Sequence, residues 1–582
     1  MKQKKYLLYS LFEVITALML VYSADILKQM QLSIEMKFTI FLVNFAIVLC
    51  IECFWYGIIG NVLLAIIFSV ILVDAFAIVN YFVMVFRGKP IYASDIQSIG
   101  TAVDVVHGYR WSVPKMIIVI CIIHLLWLFF VTLCCHYIKT RERKVHQIRI
   151  RVINISLSIV VLGVITFSGI LETIGISAQF FSGDKNGLLL NFLLSVDASI
   201  YKKPDGYSEH KINEILSVYK SDKKSVEKKD LPNIVVIMNE SFSDLSIWGD
   251  IETNQDYLKF YHEFNENVLK GWALSSVWGG NTANSEFEFL TGNSMYFYPN
   301  GSVPYQTYLN SEKSSLVSYL ESFGYHTVGI HPGHSDAWNR ENVYQYFGFD
   351  ETCFLEDREW DTMRNYVSDQ SCYDYIKEVF ANNRKDEPLF VFNVTIQNHG
   401  GYLDENYENK IKLTKSENRY PATEQYLSLI QESDKALENL IDYLEGIDQE
   451  VIVLFFGDHQ PKLEDEFVKE IIGDVPSKLD QKDYDKLHYV PYFIWSNREL
   501  NVTAEKYTSI NYLSNLLLSV AGIPFSNYNK FLNDEQKYIP ILSMTDVEFS
   551  SDNNEVKEKW INQNELLSYF YLFDKESSIL WK

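Results

Sequence analysis

The chain has few of the residues that staple or break a fold: 7 Cys, 14 Pro and 27 Gly among 582 positions. So little Gly and Pro excludes collagen-like and other fibrous chains. Five cysteines, Cys50, Cys53, Cys121, Cys134 and Cys135, lie in or beside long apolar runs, where membrane packing accounts for them. Only Cys353 and Cys372 lie elsewhere; an oxidising exterior permits a disulfide between them, and their unknown separation leaves it open. Acidic residues far outnumber basic ones after residue 173. The whole chain holds 51 Lys and Arg against 74 Asp and Glu; its first 173 residues carry a net charge of about +6 and the rest about −29. That acidity excludes a nucleic-acid footprint in the later part. An aromatic content of 15%, interspersed with apolar runs, excludes a disordered chain.

What is present falls into two unlike parts. Five apolar stretches, roughly 6–23, 38–56, 61–86, 116–137 and 152–171, each approach the ~20 residues that cross a bilayer. No equivalent run follows. Lys2, Lys4 and Lys5 precede the first, as in a signal peptide, but Val21-Tyr22-Ser23-Ala24-Asp25 is a poor cleavage site and more spans follow, so the segment is expected to be retained. Those lysines, together with Lys139, Arg141, Arg143, Lys144, Arg149 and Arg151 between the fourth and fifth runs, place the N-terminus and that loop in the cytoplasm. Everything after about residue 173 is then expected on the outer face. Glu13, Glu52 and Asp74 lie within spans, where they either mark a lipid or ion path or face partners inside the bundle. Five spans show no repeat pair of the transporter kind.

Residues 174–230 read as a juxtamembrane helical connector, with amphipathic pieces at Leu188 to Ala198 and His210 to Tyr219 and a charged run from Lys220 to Asp230. Beyond it, compact apolar runs at Ile234 to Met238, Thr327 to His331, Leu389 to Thr395, Val451 to Phe456 and Tyr492 to Trp495 alternate with helical patterns such as Thr423 to Leu444. Runs of that kind predict a mainly parallel sheet covered on both faces. In open sheets the chemistry gathers beyond the carboxyl ends of the strands.

Three runs end in ligand-type residues: Asn239-Glu240-Ser241, Gln397-Asn398-His399-Gly400 and Gly457-Asp458-His459-Gln460. Taken singly each has a plain structural reading: Glu240 as a cap partner, Asp458-His459 as an Asx turn, His399 as a loop histidine bonded to backbone. A fourth element, Gly279-Gly280-Asn281-Thr282-Ala283-Asn284-Ser285-Glu286, is a glycine turn feeding a helix. A hydroxyl there meets the positive end of the helix dipole, which favours phosphate; the alternative is an ordinary N-cap.

In their order these motifs resemble lipoteichoic acid synthases and related phosphoglycerol transferases, the sulfatase-like branch of the alkaline phosphatase superfamily. The likeness runs over about residues 231–530 and rests on Asn-Glu240-Ser-Phe, Gly-Gly-Asn-Thr282-Ala-Asn-Ser-Glu-Phe, Trp338-Asn339-Arg340, Gln-Asn-His399-Gly and Gly457-Asp458-His459. It implies one divalent ion, manganese or else magnesium, held by Glu240, Thr282, Asp458 and His459. It also implies a phosphoglycerol pocket lined by His331, Trp338, Arg340 and His399, with Thr282 and His399 catalytic. Arg suits phosphate through its forked donors, and a carboxylate-rich set with one imidazole suits a hard or borderline ion. Which of His331, His334 and Asp336 faces substrate stays open. Sulfate ester hydrolysis is disfavoured: no cysteine lies near Thr282, and Asn284, not proline, stands two residues on. A second full ligand set, as in two-zinc phosphodiesterases, is also lacking.

The expected architecture is a five-span α-helical membrane domain (1–173), the connector (174–230), an extracellular α/β sulfatase-like domain with a mainly parallel central sheet (231–545) and a C-terminal tail (546–582). The resemblance implies an enzyme of the bacterial cell membrane that moves glycerol phosphate from phosphatidylglycerol to an envelope polymer or polysaccharide through a phospho-threonine-type intermediate. Phosphoethanolamine transfer or phosphodiester hydrolysis on the same scaffold is the alternative, as is a non-catalytic polymer-binding protein.

Overall fold

A computed structural model describes residues 2–29, 36–87, 90–98, 113–137, 144–174, 176, 185–219, 231–384, 387–416, 418–500 and 505–582. The charged run from Lys220 to Asp230 and the cations Lys139, Arg141 and Arg143 lie outside the described residues. The chain divides into two compact units, one built mainly from residues before 202 and the other mainly from those after.

Among the described residues the first unit contains five long apolar helices: α1 (Lys2–Gln29), α2 (Phe38–Ile59), α3 (Val62–Arg87), α4 (Lys115–Tyr137) and α5 (Lys144–Phe167). Their membrane-length stretches are Leu7–Leu27, Phe38–Ile59, Val62–Val85, Lys115–Tyr137 and Ile148–Phe167. Gly57 lets α2 and α5 approach closely, since a Cβ at that position would sit 2.4 Å from Ile155. Arg151 of α5 donates from Nε to the Gly57 carbonyl at 2.7 Å and from Nη2 to that of Ile58, so a cation closes the carboxyl end of α2. Asp74 meets His124 of α4 at 2.8 Å, whereas both carboxylate oxygens of the buried Glu52 have no hydrogen-bond partner among the described residues. Helix α6 (Leu188–Ala198) belongs to the same unit and is tied to α2 through Asn44, which donates to the Asn186 carbonyl at 2.7 Å and accepts from the Leu190 amide at 3.1 Å.

The second unit is built on an eight-stranded sheet: β1 (Asn233–Asn239), β2 (Val268–Leu274), β3 (His326–Ile330), β4 (Glu351–Cys353), β5 (Leu389–Val394), β6 (Val451–Gly457), β7 (Tyr489–Ser496) and β8 (Tyr507–Ser509). Their spatial order is β8-β2-β7-β6-β1-β5-β3-β4, and β7 alone runs antiparallel to its neighbours. Every residue of β1, β5 and β6 is buried, as expected of strands covered on both faces. One covering element is α7 (Pro421–Glu445), whose apolar face packs into the same core. The register sets the height of the chemistry. Met238 lies opposite Val394 and Asn239 opposite Gly457, so β1, β5 and β6 end level and the chain leaves each at one edge.

The sheet is wider than the apolar runs suggest, because β2 (Val-Leu-Lys-Gly-Trp-Ala-Leu) is half-exposed and interrupted by Lys270 and Gly271. Gly271 accommodates the Tyr492 ring, which would stand 2.5 Å from a Cβ there. Cys353 and Cys372 are both free and buried. The stretch from Asn554 to Phe573 is a helix of this second unit, with Tyr571 buried beside Phe287 at 6.3 Å between ring centres, and Leu580 and Trp581 are buried after it.

Candidate active site

Glu240, one residue past β1, and Asp458 and His459, just past β6, bring their ligand atoms within 4.8 Å of one another, all buried. Thr282 joins them as the first residue of helix α8 (Thr282–Thr291), its Oγ1 donating to Glu240 Oε2 at 3.4 Å. The turn before it is left-handed at Gly279 and at Asn281, the helix N-cap, so the chain enters the helix sharply beside the strand tips. Residues distant in sequence are thus gathered by the level ends of two parallel strands and one helix start.

The donor set fits a divalent cation. Asp458 Oδ1 accepts from the Ser241 amide at 2.7 Å and the His459 amide at 2.8 Å, which leaves buried Oδ2 without a hydrogen-bond partner among the described residues. His459 Nδ1 donates to the Gln460 carbonyl at 3.0 Å, so its Nε2 presents a lone pair, also buried and without one. That lone pair faces Asp458 Oδ2 at 3.3 Å and Glu240 Oε1 at 3.8 Å. Burial, reinforced by the Asp458 carboxylate, pushes the Glu240 carboxyl well above its usual range. Two carboxylates and an imidazole lone pair converging in a dry site repel one another, and a cation removes that repulsion.

Behind this cluster lies a closed ion pair. Arg340 donates from Nε and Nη2 to Glu286 Oε1 at 2.9 and 2.6 Å, and Tyr344 donates to Oε2 at 2.9 Å. Arg340 Nη1 donates to His331 Nε2 at 3.0 Å, while His331 Nδ1 donates to the Val394 carbonyl. His331 is thereby fixed as a neutral tautomer, and burial with the Arg340 charge holds it well below the ordinary histidine range. His334 is exposed and paired with Glu356 at 2.7 Å, and Asp336 is exposed, so of the three residues left open His331 is the one brought beside Arg340. Trp338 and Asn339 are both left-handed, at φ 58° and 64°. A bulky residue in that region is held by its surroundings.

His399 stands on the loop after β5, half-buried, with its Nδ1 3.2 Å from the Tyr366 hydroxyl. Burial, with the charges of Arg364 and His459, pushes it down to about 4, so the imidazole is neutral at neutral pH. A buried polar network locks this loop to the tip of β1. Asn239 donates to Asp369 at 2.7 Å, Ser433 donates to the same oxygen at 2.6 Å, and Asn398 donates to Ser433 at 2.8 Å and Asn239 at 3.2 Å.

Sequence reasoning passed over Glu286, Tyr344, Arg364, Tyr366 and Asp369. Glu286 carried a signal, since it lies four residues after Thr282 and therefore on the same helix face. Tyr344 carried the same signal, four residues after Arg340 on the helix Arg340–Phe347, whereas Arg364, Tyr366 and Asp369 come from segments that only the fold brings near.

Fold and site together define a sulfatase-like α/β domain with a candidate metal-binding site at the strand tips. Residues 232–523 match the Sulfatase family, and the chain belongs to it. It is 31% identical over 371 residues to a candidate cyclic beta-1,2-glucan modification protein of Rhizobium meliloti, covering 61% of this chain and 56% of that protein. It is 24% identical over 263 residues to the lipoteichoic acid synthase of Staphylococcus aureus, covering 44% of this chain and 40% of that one. The chain thus matches only part of the length of these curated relatives. Among solved structures, the Streptococcus pyogenes phosphoglycerol transferase GacH shares the fold with a TM-score of 0.54 at 22% identity, over 65% of this chain and 97% of that chain. The integral membrane phosphoethanolamine transferase EptA of Neisseria meningitidis gives 0.50 at 13% identity, over 88% and 95%. Five apolar helices followed by a sulfatase-family domain make this a membrane protein with a C-terminal soluble domain.

Proposed function

We propose that the protein is a membrane-anchored phosphoglycerol transferase of the bacterial cell surface, moving glycerol phosphate from phosphatidylglycerol to a polymer or glycan of the envelope. The observation that carries this reading is the gathering of Glu240, Thr282, Asp458 and His459 in one buried cluster in which Asp458 Oδ2 and His459 Nε2 have no hydrogen-bond partner. Those four residues hold a divalent ion, manganese by resemblance, which when bound supplies Lewis-acid stabilisation of developing oxygen charge.

Thr282 is the nucleophile. Its hydroxyl, at the positive end of a ten-residue helix, attacks the donor phosphorus in line, the phosphoglycerol group passes to Oγ1, and diacylglycerol departs into the membrane. An acceptor hydroxyl then displaces threonine. In each step His399, neutral at working pH, takes the proton of the attacking hydroxyl and gives it to the departing oxygen. His331, Arg340 and Trp338 form the wall that receives the phosphoglycerol group, and the paired Arg340 serves it as a fixed hydrogen-bond donor. Anchoring keeps the site close to a donor confined to one leaflet.

The test is turnover of fluorescent phosphatidylglycerol by the full-length protein with manganese, read as diacylglycerol release and as the mass of the acceptor adduct. Thr282→Ala is expected to abolish both and keep the thermal unfolding profile. Continued transfer by that variant would remove Thr282 as nucleophile. Release from phosphatidylethanolamine in place of phosphatidylglycerol would reassign the donor.

A further inference from the structure

The guanidinium nearest His331 brings little net charge to the site. Arg340 is 2% exposed and its partner Glu286 fully buried, with two of its nitrogens on one carboxylate oxygen, so the pair is closed. Arg364 is the opposite case. It stands at the turn between two short strands, Thr362–Met363 and Tyr366–Val367, half-buried and at φ 56°, a conformation that arginine seldom adopts. Its Nη2 donates to the carbonyl oxygens of Gln397 and His399 at 2.9 and 2.8 Å, so the cation is fastened to the loop that bears His399. Two residues on, Tyr366 lays its ring 5.2 Å from the His399 imidazole.

Among the described residues no carboxylate forms an ion pair with Arg364, and Asp404 acts on its charge without bonding to it. Its bonds among those residues are to backbone carbonyls, and its guanidinium packs on the rings of Tyr366 and Tyr402 at 5.2 and 5.7 Å. Among the described residues its buried Nε has no hydrogen-bond partner, and its Nη1 makes a long contact of 3.4 Å to the Gly401 carbonyl. Carbonyl oxygens satisfy donors without neutralising charge, and an arginine sheltered from water without an anion is costly. A forked cation with donors to spare matches the oxygens of a phosphate ester.

We propose that Arg364, with the Tyr366 hydroxyl, forms an anion subsite beside His399 that takes the negative charge of a phosphate ester. The subsite rests on the phosphoglycerol-transfer reading for its substrate, and its ligand chemistry is shared by two sources, the headgroup of the lipid donor and a phosphate of a polyanionic acceptor.

The full-length protein with manganese is titrated with sn-glycerol 1-phosphate by calorimetry, beside Arg364→Gln and Arg364→Lys. The Gln variant is expected to bind about tenfold or more weakly and the Lys variant within about threefold of the unchanged protein, as for loss or retention of a charge-assisted bond. Manganese content and unfolding temperature are expected to stay unchanged in both. Unaltered affinity in the Gln variant overturns the subsite. So does equal weakening of both variants with loss of manganese, which would make Arg364 only a clamp on the loop.

In transfer assays on vesicles of equal parts phosphatidylglycerol and phosphatidylcholine, a raised KM for lipid assigns the subsite to the donor. A raised KM for acceptor alone assigns it to the acceptor; no change in either speaks against it. If no donor is ever turned over while Arg364→Gln still loses glycerol-phosphate affinity, the transferase reading fails and the subsite stands.

Discussion

The hydroxyl of Ser285 donates to the backbone carbonyl of Asp458 at 2.7 Å. Helix α8, which begins with Thr282, is thereby bonded to the strand tip that carries two of the ligand-type residues. Ser275 donates to the same oxygen at 2.8 Å. Ser285→Ala alone is expected to lower stability by about 1 kcal/mol, because one donor remains. Adding Ser275→Ala leaves the carbonyl unpartnered, and the combined loss should exceed the sum of the single ones. Denaturant unfolding of the unchanged protein, the two single variants and the double variant, with manganese content measured in parallel, checks this.

Asp458→Asn removes one of two carboxylates that crowd each other around His459. In manganese the variant should hold much less metal, as read by elemental analysis of purified protein. In chelator it should unfold no earlier than the unchanged protein, because like-charge repulsion has been relieved. A metal-free variant clearly less stable than its metal-free parent would mean that the carboxylate's bonds to the Ser241 and His459 amides outweigh the repulsion.

Glu286→Gln leaves the Arg340 charge buried and unpaired, and about 3–5 kcal/mol of stability should be lost. Pairing it with Arg340→Met should recover a large part, since the penalty comes from one stranded charge. Unfolding of both variants by denaturant decides. If the double variant is as unstable as the single, the pair contributes through packing and not through charge.

His262 gives a pH signature. Its bond to Asp244 and its bonds to Asp256, at 2.8 and 3.0 Å, raise it to about 9 from the ordinary imidazole value of 6.5. A raised value means that the folded state holds the proton more tightly. The contribution is complete below about pH 6.5 and is lost as pH climbs through about 9. Thermal unfolding across that window should show a downward slope that His262→Gln flattens; an unchanged slope would place its origin elsewhere.

Much of this was legible in the residues. β1, β5 and β6 announce themselves as runs rich in Val, Ile and Phe because both their faces are covered, and the polar residues at their tips mark where the site gathers. Strand β2 was not legible, since Lys270 and Gly271 break an apolar pattern that only the Tyr492 ring explains. Glu286 was visible as a neighbour of Thr282 one helical turn along, yet its partner lies 54 positions away. Arg364 reads as an ordinary charged residue between short segments. Its significance depends on which carbonyls it meets, and no local pattern encodes that.

Gly457 bears on how this centre can change. A methyl group there would come within 2.1 Å of the Phe242 carbonyl oxygen. The bare backbone therefore acts as a spacer gauge between the strand ends that carry Glu240 and Asp458. Alanine would wedge those ends apart without touching a single ligand atom. Remodelling aimed at new acceptors is better spent on the outer loops than at this junction, where the smallest addition alters the spacing of the whole assembly.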